Sequence, residues 1–120
     1  VFARHPNLRV LSMEHGASWV PGWLQQMDFT ANTFKHFRKF VEKPSETAKR
    51  HLKFSPFSGE PVGWIIDSIG PDMLVFASDY PHPEGTADPI KRFERSMPNC
   101  DQEVMDKFYY GNMLELMGGA

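Results

Sequence analysis

Residues 76–85 read FASDYPHPEG, and they hold the strongest structural signal in the chain. The apolar run 73–77 leads to the acid Asp79, and Pro81 and Pro83 then prevent further regular pairing. This pattern predicts a buried strand that presents a carboxylate at its C-terminal end. Because ligands of α/β proteins bind outside the carboxyl ends of the strands, Asp79 is a candidate functional residue.

The spacing of apolar and turn-forming residues predicts alternating strands and helices along the chain. In the first part of the chain we expect a strand at 8–13 and a helix that starts at Ser18 or Pro21 and continues or restarts over 30–40. After a break at 43–46 we expect a weaker strand at 52–57, a helix at 60–69 and a strand at 73–77. The chain then ends with a helix from Pro89, capped by Asp88, and a last helix from the cap Asp101 to Met117. Strands separated by helix-length connections favour parallel pairing and an α/β architecture.

Size and composition limit the classes of function. The 120 residues have room for one modest domain, and the net charge of −2 comes from interspersed signs, so no nucleic-acid partner is expected. No apolar run approaches the ~20 residues of a membrane span, so no membrane partner is expected either. Cys100 is the single cysteine, which excludes an intrachain disulfide framework and fits a cytoplasmic location.

His15 and Asp79 are predicted to meet at one end of the sheet. Alternation along the strands puts His15 on the face of Leu11, and Asp79 on the face of Val75. If both faces point to one interior, the imidazole and the carboxylate emerge together and can hold a metal and activate its water. Purely structural roles stay open for both residues, because an Asp before Tyr-Pro also orders turns and a His after a strand is often a structural hydrogen-bond donor.

Two further residues, His82 and Trp19, lie close in sequence to this pair and are weaker candidates for the site. His82 lies between two prolines, where exposure without function is the default expectation. Trp19 is expected to pack in the helix layer, although its position four residues after His15 also allows it to line a pocket.

Three stretches of the chain carry a family resemblance, in the order 8–21 (LRVLSMEHGASWVP), 76–83 (FASDYPHP) and 108–116 (FYYGNMLEL). The first resembles the sixth strand and following loop of amidohydrolase-related proteins, in the group that contains aminocarboxymuconate-semialdehyde decarboxylase and the resorcylate-type decarboxylases. The second resembles the eighth-strand signature of that group. The third is similar to its closing helix, with the pattern G-N-A-x-x-L.

The resemblance implies a fold and roles for particular residues. The fold would be the C-terminal part, about strands six to eight and their helices, of a (β/α)8 TIM barrel, with residues 1–120 as a single partial domain. Asp79 matches the aspartate that binds the metal and its water, and His15 matches the histidine that acts as general acid or base in the decarboxylase branch. Trp19 and His82 are then expected near the substrate. The implied cofactor of the intact parent is a divalent metal, zinc or manganese.

The chain departs from the family pattern in its metal ligands. The His-x-His pair of the first strand and the histidine of the fifth strand are absent, and a complete barrel needs ~250 residues. We therefore expect the isolated chain to be inactive, with an incomplete metal site, and to associate with itself or with a missing N-terminal barrel half.

Two classes of function follow. In the first, the parent enzyme hydrolyses C–N or C–O bonds, or decarboxylates a small carboxylic acid. In the second, the chain is a non-catalytic α/β interaction or assembly module in which the acid and the histidine merely persist.

Overall fold

Two short parallel strands form the centre of the computed structural model, which describes residues 1–83 and 85–119. Strand β1 (Val10–Ser12) pairs with β2 (Leu52–Phe54), and Leu11 lies opposite Lys53. Both strands are shorter than the apolar runs from which they were predicted. Their parallel direction confirms the pairing that the helix-length connection between them predicts.

The strand expected at 73–77 is reduced to one parallel bridge between Leu74 and Phe54. The Val75 amide donates to the Phe54 carbonyl at 3.0 Å, but the next amide, that of Phe76, donates to the carbonyl of Phe108 at 3.0 Å. On the side of β2, the next amide that could donate to this segment would be that of residue 56, and Pro56 has no N–H, so the ladder stops there. The prediction of a regular strand at 73–77 is therefore wrong in its extent, although its parallel direction is correct.

Helices pack around this small sheet. Within the described residues they are α1 (Val20–Thr33), α2 (Pro44–His51), α3 (Val62–Ile69), α4 (Pro89–Ser96), α5 (Gln102–Asp106) and α6 (Asn112–Leu116), and a π-helical turn (Lys107–Gly111) joins the last two. The first helix ends at Thr33, so the prediction that it continues or restarts over 30–40 is wrong beyond that residue.

Helix α2 replaces the break expected at 43–46 because a distant side chain stabilises its first turn. Asp28 of α1 accepts hydrogen bonds from the Ser45 amide at 3.0 Å and from the Ser45 hydroxyl at 2.7 Å. Burial acts to raise the pKa of Asp28, but the two bonds from Ser45 and the charges of Lys43 and Lys49 outweigh it and hold the pKa below its ordinary value. Local sequence does not reveal this contact.

Helix α3 forms where it was predicted but starts at Val62 instead of residue 60, and the single last helix predicted from Asp101 to Met117 is divided by the π-helical turn into α5 and α6. Val62, Ile65, Ile66 and Ile69 recur at helical spacing and all four are buried in the core. The Asp88 carboxylate accepts from the Lys91 amide at 3.1 Å at the start of α4, and the Asp101 carboxylate accepts from the Val104 amide at 2.9 Å at the start of α5. These two caps confirm the predicted helix starts.

Asn112 connects the C-terminal helix to the strand region. Its side-chain amide donates to the carbonyls of Pro71 and Leu74, each at 2.7 Å, and the residue is 3% exposed. The bond to Leu74 is buried and the bond to Pro71 is partly buried, and an unpaired carbonyl away from water is costly. Asn112 therefore fixes the backbone that leads into residues 76–85.

No helix in the described part of the chain is long and apolar enough to cross a membrane.

The Asn112→Ala substitution is expected to lower the free energy of unfolding by about 2–3 kcal/mol, because it leaves the buried carbonyl of Leu74 and the partly buried carbonyl of Pro71 without this donor. Chemical denaturation monitored by circular dichroism measures the change. Asn99→Ala, at an exposed loop position, is the matched control and should change stability by less than about 0.5 kcal/mol. Equal effects of the two substitutions would contradict the role of Asn112.

Candidate functional site

Three loops meet at the carboxyl ends of the strands and enclose a cleft of about 450 Å³. The loop after β1 contributes Glu14, the loop after β2 contributes residues 55–59, and the stretch after Leu74 contributes residues 77–79 together with His82 and Gly85. The Ser55 amide donates to the Ser12 carbonyl at 3.0 Å, which continues the parallel ladder into the loops. The parallel arrangement therefore brings these distant segments to one edge.

Asp79 lies in the cleft wall with its side chain about one-third exposed. Its backbone is left-handed, with φ +57°, a conformation that Asp tolerates better than most residues. The Asp79 carbonyl accepts from the His82 amide at 2.8 Å, and the Asp79 carboxylate lies 3.8 Å from Nδ1 of His82. Asp79 is thus both the turn-forming residue and the acid of the cleft.

Gly85 allows the loop after Asp79 to close tightly. A Cβ atom at this position would lie 2.9 Å from the His82 carbonyl oxygen and 3.0 Å from that of Asp79. A side chain there would force the backbone apart, so the loop conformation requires glycine at residue 85.

The structure places Glu14, rather than His15, in the described lining of the cleft. Strand β1 ends at Ser12, and Glu14 has φ +62°, so the alternation of faces used to predict the position of His15 does not extend that far. His15 is exposed and lies immediately beyond Glu14 at the same edge.

The His15 imidazole has a defined local partner. Its Nδ1 lies 2.6 Å from the Met13 carbonyl oxygen and 3.4 Å from the Ser12 hydroxyl. Because a carbonyl only accepts, Nδ1 carries a proton in the first contact, which leaves Nε2 as the ring nitrogen without this partner.

Trp19 packs in the helix layer, which was one of its two expected positions. Its ring lies edge-on to those of Trp23 at 5.6 Å and Phe54 at 5.5 Å, and its Nε1 donates to the His15 carbonyl at 3.0 Å. Trp19 does not occur in the described cleft lining, whereas His82 does. The indole therefore holds the backbone of the loop that carries His15 through this hydrogen bond.

Glu60 holds two of the three loops together, and sequence patterns gave no sign of it. One oxygen of its carboxylate accepts from the Ser18 amide and the other from the Phe57 amide, each at 2.7 Å, and the Ala17 amide reaches both oxygens, at 2.9 and 3.1 Å. A Cβ atom at Gly16 would lie 3.0 Å from each Glu60 oxygen, so this packing requires glycine there. In the sequence, Glu60 is simply an acid just before a helix. Its partner Ala17 lies 43 residues earlier, so local patterns do not indicate the contact.

The potential metal donors of the cleft are few. Asp79 supplies the kind of oxygen ligand that divalent metals take, and its carboxylate is accessible from the cleft. Within residues 1–83 and 85–119, however, no group of three or more His, Cys, Asp or Glu residues is arranged to hold a metal ion. The described residues therefore fit a metal through Asp79 as one ligand of a larger set.

A cleft at the carboxyl ends of parallel segments is typical of α/β protein families, whose ligands bind at that edge. The sequence model of one such family, described as amidohydrolase, matches residues 1–118. The chain therefore belongs to the amidohydrolase family, which confirms the resemblance found in residues 8–21, 76–83 and 108–116.

Solved structures agree with this membership. An amidohydrolase from Mycobacterium avium subsp. paratuberculosis K-10 is 30% identical, with a TM-score of 0.84 over 98% of this chain and 30% of its own. The 5-carboxyvanillate decarboxylase LigW from Sphingomonas paucimobilis is similar in fold at 24% identity and a TM-score of 0.75, over 99% of this chain and 36% of its own. A dihydroxybenzoic acid decarboxylase from Polaromonas sp. JS666 matches at 19% identity and a TM-score of 0.71, over 98% and 36%.

The chain thus spans about a third of the length of the solved structures it matches. The Polaromonas enzyme contains bound manganese and the inhibitor 2-nitroresorcinol. This agrees with a divalent metal in related decarboxylases.

The Glu60→Gln substitution is expected to increase hydrogen exchange at the amides of Ala17, Ser18 and Phe57, because a neutral amide offers one acceptor oxygen in place of two charged ones. Exchange followed by NMR or mass spectrometry measures the effect. Glu46→Gln, at an exposed position on α2, is the control and should leave these amides unchanged. Unchanged protection in the Glu60 variant would show that the carboxylate does not hold the loops.

Proposed function

We propose that this chain forms the C-terminal part, about strands six to eight and their helices, of a (β/α)8 barrel enzyme that depends on a divalent metal. The reaction is either hydrolysis of a C–N or C–O bond or non-oxidative decarboxylation of a small carboxylic acid. The observation that carries the proposal is the position of Asp79 in a cleft at the carboxyl ends of parallel segments. Family membership and the two decarboxylases of similar fold support it.

The metal is zinc or manganese, with Asp79 as one ligand. When bound, such an ion polarises a carbonyl or carboxylate and lowers the pKa of a bound water. Asp79 would hold the ion and would serve as a proton acceptor in the cleft, and His82, 3.8 Å from its carboxylate, lies where it can contact a substrate there. The remaining ligands would come from the part of the barrel that matched structures possess and this chain does not span.

His15 is the second catalytic residue of the proposal, and it moves a proton at Nε2. The hydrogen bond from Nδ1 to the Met13 carbonyl fixes the ring and leaves Nε2 as the exchanging atom. The indole of Trp19 holds the backbone of the same loop through the His15 carbonyl. Trp19 thus serves the substrate site through His15.

The open side of β1 is proposed to pack against the N-terminal part of the barrel in the intact protein. In the described chain β1 pairs on one side only, with β2, and Val10 and Met13 are 40% and 45% exposed. An unpaired strand beside exposed apolar side chains favours association, so the isolated chain should self-associate. A stable monomer in sedimentation at micromolar concentration would contradict this.

The second candidate function, a non-catalytic assembly module, draws on the same incomplete set of donors. The two candidates differ in metal content. Metal analysis of the purified intact protein should find a stoichiometric divalent ion if it is an enzyme, and none if it is a scaffold.

The Asp79→Asn substitution in the intact protein is expected to abolish metal-dependent turnover and to weaken manganese binding, because an amide is a poor ligand and a poor proton acceptor. Release of carbon dioxide from 5-carboxyvanillate or dihydroxybenzoate tests decarboxylation, and release of ammonia or alcohol from amides and esters tests hydrolysis. Asp67→Asn, at an exposed site on α3, is the matched control. Wild-type rates of turnover in the Asp79 variant would contradict the proposed role of Asp79 as a metal ligand and proton acceptor.

Separate substitutions of His15 and Glu14 test which of these neighbours moves the proton. His15→Gln is expected to lower kcat by about 10²–10⁴-fold, the usual range for loss of a general acid or base. Glu14→Gln should act mainly on KM, since Glu14 lines the cleft without a proposed role in chemistry. A large loss of kcat in the Glu14 variant alone would transfer the role to that carboxylate.

A further inference from the structure

Arg92 is a cation in the wall of the same cleft as Asp79 and Glu14. It belongs to the first turn of α4, the helix that follows the loop of Asp79. Among residues 1–83 and 85–119, no acidic side chain forms an ion pair with Arg92. Its guanidinium is therefore available to a charge that enters the cleft.

The helix itself does not explain a cation at this position. The N-terminal turn of a helix carries partial positive charge, so basic residues there are electrostatically unfavourable. The preceding residue, Lys91, is compensated by Asp88, whose carboxylate lies 3.0 Å from its ammonium group. Arg92 has no such compensation within the described residues, which points to a role outside the helix.

Gly59 leaves space for the guanidinium at the cleft wall. A Cβ atom at Gly59 would lie 3.2 Å from Nη2 of Arg92, closer than most real contacts. The glycine thus leaves room for the guanidinium beside the loop after β2. Two elements, α4 and this loop, together fix the position of the charge.

We infer that Arg92 is a specificity-determining residue that binds a carboxylate group of the substrate in this cleft, an inference that rests on the proposed function. The planar guanidinium matches a carboxylate with two parallel hydrogen bonds. Among the described residues that line the cleft, Arg92 is the one lysine or arginine, so it is the side chain there that can bind a carboxylate in this way. Its guanidinium lies next to Gly59.

Binding of benzoate, compared with its neutral counterpart benzamide, tests the inference in the intact protein. Titration calorimetry gives the dissociation constants for the wild type, Arg92→Gln, Arg92→Lys and Gly59→Ala. Arg95→Gln is the matched control, because Arg95 lies on the same helix and is absent from the described cleft lining. Thermal unfolding verifies that each variant is folded.

We expect Arg92→Gln to weaken benzoate binding by about 10- to 100-fold, the usual loss for a hydrogen bond to a charged group, and to leave benzamide binding unchanged. Arg92→Lys should recover part of the affinity, since an ammonium lacks the paired donors of the guanidinium. Gly59→Ala should weaken benzoate binding while it preserves the charge. Arg95→Gln should have little effect.

Three outcomes would overturn the inference. They are equal losses in the Arg92 and Arg95 variants, equal losses for benzoate and benzamide, and absence of saturable benzoate binding to the wild type. Failure of the proposed function is separate, because it would appear as absence of metal-dependent turnover while the benzoate binding still depended on Arg92.

Discussion

The backbone bonds of Phe54 are the constraint on which the structure depends. Its strand pairs with β1 on one side, and the Phe54 carbonyl accepts the amide of Val75 on the other. The same residue packs its ring against Trp19 and Trp23 of the helix layer. Because Phe54 joins three distant segments in parallel, the loops that follow them must open at one edge, and that edge holds the cleft.

Close packing of the backbone gives this edge its shape. The carboxylate of Glu60 occupies the space beside Gly16, the guanidinium of Arg92 lies against Gly59, and the carbonyls of Asp79 and His82 crowd Gly85. At each of these three glycines, an added Cβ atom would lie unusually close to these neighbouring atoms. Polar groups packed against glycines therefore form part of the wall of the cleft.

Sequence reasoning predicts what local patterns determine. Helix α3 follows from its apolar spacing, and the starts of α4 and α5 follow from the caps Asp88 and Asp101. The break predicted at 43–46 is wrong because the contact between Asp28 and Ser45 spans 17 residues.

In the candidate site, Asp79 and His82 line the cleft, and their roles there stay predictions. Alternation along β1 could not foresee the left-handed backbone at Glu14 that separates this residue from His15. Glu60 and Arg92 were missed because each acts through a segment far away in the chain.

A manganese-soaked crystal of the intact protein tests the central claim most directly. We predict an anomalous peak in direct coordination with the Asp79 carboxylate, at the carboxyl ends of β1 and β2; a bound ion elsewhere, with Asp79 outside its coordination sphere, would contradict the account.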